Sequence, residues 1–208
     1  MAGCLFAARR LFRDGTVLLI LVMCLSTPAL AASAKPFMVL GGLTSQPIGH
    51  YHFCRTHAGE CDSQADDGKG VRLTEYGWQI VREVNQAINA NIMPITDLDQ
   101  HGVEERWNYP GLHGDCEDYV LEKRRILIEN GVPASDLLIT VVRKPNGEGH
   151  AILTLSTTEG DFILDNLDDT VRHWTQTPYR FIKRQSSRDA GQWVSIEHAD
   201  DIMVGALQ

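Results

Sequence analysis

Three residues able to carry acyl-group chemistry stand in the order Cys116, His150 and Asp165. Cys116 lies in the run Gly114-Asp115-Cys116-Glu117-Asp118-Tyr119, where Asp115 has the character of a helix N-cap and Asp118 follows three residues on. A thiol in the first turn of a helix meets the macrodipole and N–H groups that lack intrahelical partners. Both favour thiolate, the nucleophilic form. The same N–H groups can bind the oxyanion that develops on an attacked carbonyl. Such a nucleophile needs a base, and His150 is the candidate, opening an apolar run after Asn146-Gly147-Glu148-Gly149. A carboxylate bonded to that imidazole would fix its tautomer and stabilise the imidazolium, the role open to Asp165. Each residue also has an ordinary reading: a cysteine on a helix face is most often a small core hydrophobe, and a histidine at a strand start a structural one.

The elements that must position these groups are legible around them. Cys116, Tyr119, Val120 and Leu127 fall on one helical face, and Gly131 with Pro133 supplies a stop. Strand-like runs follow at Leu137 to Val142, His150 to Ser156, Asp161 to Asp165, Tyr179 to Lys183 and Gln192 to Ile196. Thr157 to Gly160 can turn the chain between the second and third of these. If Ser156 pairs with Asp161, Asp165 lies opposite Ile152, and His150 shares a face with Ile152 because side chains alternate. His150 and Asp165 are then diagonal neighbours, and a slip of one residue separates them. Upstream, Ile80, Val81, Val84 and Ile88 recur at helical period between Thr74 and Asn91, while residues 35–70 and 95–114 read as irregular. Helices first and neighbouring strands later predict an α+β fold, with N-terminal helices packed on an antiparallel sheet.

Composition narrows the class. The chain has 208 residues and a net charge of −8, which excludes a basic nucleic-acid footprint. Arg9, Arg10 and Arg13 precede the apolar run Thr16 to Leu25, and small residues around Ala32-Ser33-Ala34 offer cleavage sites. Residues 1–34 therefore read as a signal peptide, with an uncleaved anchor as the alternative, and residues 35–208 as one exported domain. Cys24 lacks the small residues of a lipid-attachment site before it. Removing the leader leaves Cys54, Cys61 and Cys116. The first two are close enough in sequence to form a local disulfide in an oxidising compartment, or to bind a metal with His57. Cys116 is then an unpaired thiol in an exported protein, which calls for a reason.

Gly114-Asp115-Cys116-Glu117-Asp118-Tyr119, Gly149-His150-Ala151-Ile152-Leu153 and Leu164-Asp165-Asn166 resemble the motifs of the bacterial transglutaminase-like cysteine proteinases, which include the LapG-type periplasmic proteases. The resemblance implies a papain/transglutaminase-like fold and a catalytic triad of Cys116, His150 and Asp165. It also implies a periplasmic location and calcium bound beside the nucleophile. The substrate it implies is a large surface adhesin, cut near its N-terminus at a paired-alanine site to release cells from a biofilm. An inner-membrane receptor that senses cyclic di-GMP is the partner expected to sequester the enzyme.

The residues give calcium a physical reason. Asp115, Glu117 and Asp118 set three carboxylates around Cys116, and their charge opposes thiolate formation. A divalent cation would neutralise them, and clustered carboxylates suit calcium. The plain alternative is acidic residues complementing a helix N-terminus. Asp62 to Gly70 lacks the spacing of an EF-hand. Trp107-Asn108-Tyr109-Pro110 either lines a substrate cleft or packs on the sheet. Trp78, Trp174 and Trp193 read as core or rim, and His101, His113, His173 and His198 as surface. Two rival functions remain open at this level: transfer of the acyl group to an amine, with the same triad, and a non-catalytic binding module in which Cys116 is inert.

Overall fold

Apolar residues at helical spacing and β-rich runs become elements where the chain can bury them against each other. The computed structural model describes residues 36–65 and 68–197. Their order is β1 (Val39–Thr44), α1 (Ile48–Thr56), α2 (Glu75–Asn91), β2 (Met93–Pro94), α3 (Asp97–His101), β3 (His113–Gly114), α4 (Cys116–Glu129), β4 (Leu137–Arg143), β5 (Gly149–Thr157), β6 (Gly160–Asp165), β7 (Asp168–His173), β8 (Arg180–Gln185) and β9 (Trp193–Glu197). The signal-peptide reading of residues 1–34 and the reading of His198 fall outside the described residues. No described helix is long and apolar enough to cross a membrane.

The Thr74 side chain caps α2 by accepting from the Gly77 N–H. The helix then buries Val81, Val84 and Ile88. α4 buries Tyr119, Val120 and Leu127. It stops where Gly131 takes φ +88° and the Gly131 and Val132 N–H groups turn back to the Ile128 and Leu127 carbonyls. α2 and α4 pack on each other, on β7 and on β5 respectively.

Seven strands form one sheet in the order β1-β9-β8-β4-β5-β6-β7, every neighbour antiparallel. Alternation sorts its residues. Leu153, Leu155 and Leu164 join the helices' core, while Ile152, Ile163, Val142 and Phe181 form a second cluster with Met38 and Ile196. This is the α+β arrangement, helices on an antiparallel sheet, that the sequence predicts.

The departures are local. Residues 35–70 contain β1 and α1 rather than irregular chain. β1 carries Gly41 and Gly42, and α1 places histidines and a glycine among few apolar residues, so neither has a clean period. α1 buries His50 and Phe53, and Gly49 is needed because a Cβ there would meet the Trp107 ring. β7 is polar (Asp168-Asp169-Thr170-Val171-Arg172-His173) and is held by pairing with β6 and by the Asn85 and Asn89 side chains of α2.

Cys54 and Cys61 are joined by a disulfide. Closing so short a loop is worth about 2 kcal/mol by the chain-entropy relation. His57 is turned away from the sulfurs and stacks on Phe53 at 4.3 Å. The imidazole beside the bridge is His50, which accepts from the Trp193 indole N–H. Burial first, then the Arg124 charge, lowers the His50 pKa to about 4, so it packs uncharged. The sulfurs, bonded to each other, are not available as thiolate ligands.

Candidate active site

Ser156 pairs with Asp161 and Leu153 with Leu164 across β5 and β6. That register sets Asp165 diagonal to His150, and His150 Nε2 lies 2.8 Å from Asp165 Oδ1. Both side chains are buried. The Asp165 carboxylate also accepts from the Leu167 N–H at Oδ1 and from the Tyr179 hydroxyl at Oδ2. Burial works against its charge. The hydrogen bond and charge of His150, with the Tyr179 and Leu167 donors, outweigh burial and hold the carboxyl below the usual range. An ionised carboxylate only accepts, so Nε2 carries the proton and Nδ1 is left with the lone pair of a base.

Cys116 is the first residue of α4, with Asp115 in the N-cap position in extended conformation; the Asp115 side chain makes no cap bond. The β5–β6 ladder ends at Leu153–Leu164, and the Ala151 N–H beyond it donates to Cys116 Sγ at 3.4 Å. The nucleophile candidate thus touches the residue next to His150. Sγ itself donates to Glu117 Oε2 at 3.0 Å, and no hydrogen bond joins it to the imidazole in this conformation. Burial, then the charge and hydrogen bond of Glu117, push the thiol well above its ordinary pKa, against the Ala151 N–H. These surroundings favour the thiol over the thiolate.

The carboxylates divide differently from the sequence expectation. Asp118 is not in the group formed by the Asp115 and Glu117 carboxylates: its two oxygens accept from the Asn108 N–H and side-chain amide, at 3.0 Å each. It anchors the chain before the helix, and Gly114 makes room for it, since a Cβ there would lie 2.8 Å from Asp118 Cβ. In its place Asp97, from α3, joins Asp115 and Glu117, with one oxygen from each within 4.8 Å of the others. Asp97 Oδ2 accepts from the Arg106 N–H. Asp97 Oδ1 and Asp115 Oδ1 are buried with no hydrogen-bond partner among the described residues. Burial, then the charge of Asp97, raises Asp115 to about 6; burial, then the charge of Asp115, raises Glu117 to about 8. Unpartnered buried carboxylate oxygens crowded against like charge fit a hard divalent cation.

Trp107 is buried and packs on His50 and Trp193, so it serves the core; Tyr109 meets Phe53 and His57 edge-on. Deeper along α4, Lys123 is fully buried and its Nζ has no hydrogen-bond partner among the described residues. Burial lowers its pKa to about 7, against the charges of Asp165 and Asp169. A lysine whose folded pKa lies below its unfolded one leaves the unfolded chain holding more protons between about pH 7 and pH 10, so stability rises with pH across that window. Lys123→Met is expected to raise stability by a few kcal/mol at neutral pH and to flatten that rise, measured by denaturant unfolding at several pH values.

Residues 40–201 match the family described as bacterial transglutaminase-like cysteine proteinase. Among solved structures, calcium-bound LapG of Legionella pneumophila shares 18% identity at a TM-score of 0.49, covering 79% of this chain and 93% of that one. EGTA-treated LapG of the same organism shares 20% identity at a TM-score of 0.47, covering 64% and 80%. None of the curated proteins matches the sequence.

Proposed function

Given that the chain belongs to the bacterial transglutaminase-like cysteine proteinases, and is thus a cysteine peptidase, we propose that Cys116, His150 and Asp165 form its triad and that calcium controls it. The observation that carries the reading is the Ala151 N–H on Cys116 Sγ next to the His150–Asp165 pair. In the reaction, the Cys116 proton passes to His150 Nδ1 as Sγ bonds to the substrate's carbonyl carbon. N–H groups at the start of α4 receive the oxyanion. His150 then gives its proton to the leaving amine as the C–N bond breaks. Water, deprotonated by His150, attacks the thioester and frees Cys116 with the new carboxylate. Asp165 holds the imidazole and its positive charge throughout.

Asp97, Asp115 and Glu117 would hold the cation, with their two unpartnered oxygens among its ligands. When bound, calcium supplies positive charge beside the nucleophile. Glu117 is then occupied, and Sγ loses the acceptor that keeps it from His150.

By the resemblance of its motifs, we assign the chain to the periplasm after loss of a leader. Its substrate is a surface protein such as a biofilm adhesin, cleaved near the N-terminus, and its regulator an inner-membrane cyclic di-GMP receptor. Wild type and Cys116→Ala, incubated with adhesin N-terminal fragments in calcium and in chelator, test this. One discrete cut is expected with wild type in calcium and none with the variant. Cutting by Cys116→Ala would end the reading, and incorporation of an added amine would assign acyl transfer instead.

A further inference from the structure

Strand order places an additional residue against the triad. β8 and β5 flank β4, and Val142 of β4 pairs with both Phe181 and His150. Tyr179, two residues before Phe181, lies just ahead of β8. The ring packs against the cluster of Val142, Ile152, Ile163 and Phe181 and lies edge-on to the His150 ring, with centroids 5.6 Å apart. Its hydroxyl donates to Asp165 Oδ2 at 2.5 Å, the short distance of a charge-assisted bond. The other carboxylate oxygen, Oδ1, receives His150 and the Leu167 N–H. Among the described residues Tyr179 alone thus fixes the second oxygen and, with it, the rotation of the carboxylate plane.

We propose that Tyr179 is a positioning residue of the catalytic centre: its hydroxyl locks the Asp165 carboxylate in the orientation that holds His150, and its ring covers the His150–Asp165 bond. The proposal rests on the triad reading. Burial, followed by the hydrogen bond and charge of Asp165, raises the Tyr179 pKa, so the phenol keeps its proton and remains a donor. Without the hydroxyl, Oδ2 would be a buried carboxylate oxygen with no donor among the described residues. Asp165 would then become easier to protonate, and the imidazole would lose a fixed partner. Groups acting electrostatically on this pair are His150 from β5, Lys123 from α4 and Asp168 from β7.

The test uses iodoacetamide on Cys116 in calcium, so that no substrate is needed. Tyr179→Phe keeps the ring and removes the donor. Its alkylation rate should fall about tenfold at neutral pH, and the acidic limb of its pH profile should move up by about one unit, the scale of one lost charge-assisted bond. In an Asp165→Asn background the same change should have no further effect, because both act through one carboxylate. The unfolding midpoint of Tyr179→Phe reports whether the fold is intact. A Tyr179→Phe profile equal to wild type, or an undiminished effect in Asp165→Asn, overturns the proposal and leaves the triad standing. Wild-type Cys116 reacting no faster than a denatured control would remove the triad itself.

Discussion

Cys116→Ala will leave no peptidase activity, and His150→Ala will lower kcat by on the order of 10^3-fold with KM little changed. The reason is division of labour. In the proposed triad Sγ makes the enzyme's own covalent bond to the acyl group, and Nδ1 handles every proton. Asp165→Asn should cost about 10^2-fold or more, since an amide at Oδ1 can present an N–H to Nε2 and reverse the tautomer that leaves Nδ1 free. The losses will not add: Cys116→Ala with His150→Ala will be no worse than Cys116→Ala alone, because the three act as one unit. Steady-state kinetics on a cleaved fragment measures each. A Cys116→Ala enzyme that still cuts its fragment would remove the nucleophile from the account.

The second large effect is chelation. Without the cation, Cys116 Sγ is held by Glu117, and burial above all disfavours its thiolate. Chelator should therefore lower kcat/KM by on the order of 10^2-fold, the lower end of what a positioned general base contributes, since Sγ is then left on Glu117 and not on His150. Calcium binds carboxylates and not carboxylic acids. With Asp115 raised to about 6 and Glu117 to about 8, binding must displace protons in this window. Affinity should rise about tenfold or more from about pH 6 to about pH 8, with proton release detectable by calorimetry in buffers of different ionisation enthalpy. Asp115→Ala and Glu117→Ala should each abolish calcium-dependent activity, and Asp97→Asn should weaken calcium binding. Full activity of the Asp115→Ala, Glu117→Ala double variant in chelator would remove the metal.

How far these features could be read from sequence depends on how local their causes are. α4 announces itself by Asp115 at one end and Gly131 at the other. The His150–Asp165 neighbourhood follows from a turn at Thr157 to Gly160 and the two-residue period of the flanking strands. Asp97 could not be found this way. It comes beside Asp115 only because Met93–Pro94 pairs with His113–Gly114 and the Ile95 N–H bonds to the Gly114 carbonyl, closing a long loop whose sequence has no period. Asp97, Asp99, Glu104 and Glu105 are equally acidic in that loop, so residue type does not choose among them. The spacing of Asp118 from Asp115 suits a ligand, whereas helical geometry brings its carboxylate to Asn108. Tyr179 reaches Asp165 through the order β8-β4-β5, which depends on pairings far apart in the chain.

One measurement tests the convergence of Cys116 with the His150–Asp165 pair most directly: the rate of Cys116 alkylation by iodoacetamide at neutral pH in calcium, set beside the denatured chain. An active thiolate–imidazolium pair predicts faster reaction in the folded protein, lost in His150→Ala and suppressed by chelator. A folded rate at or below that of the denatured chain, with calcium present, would contradict it.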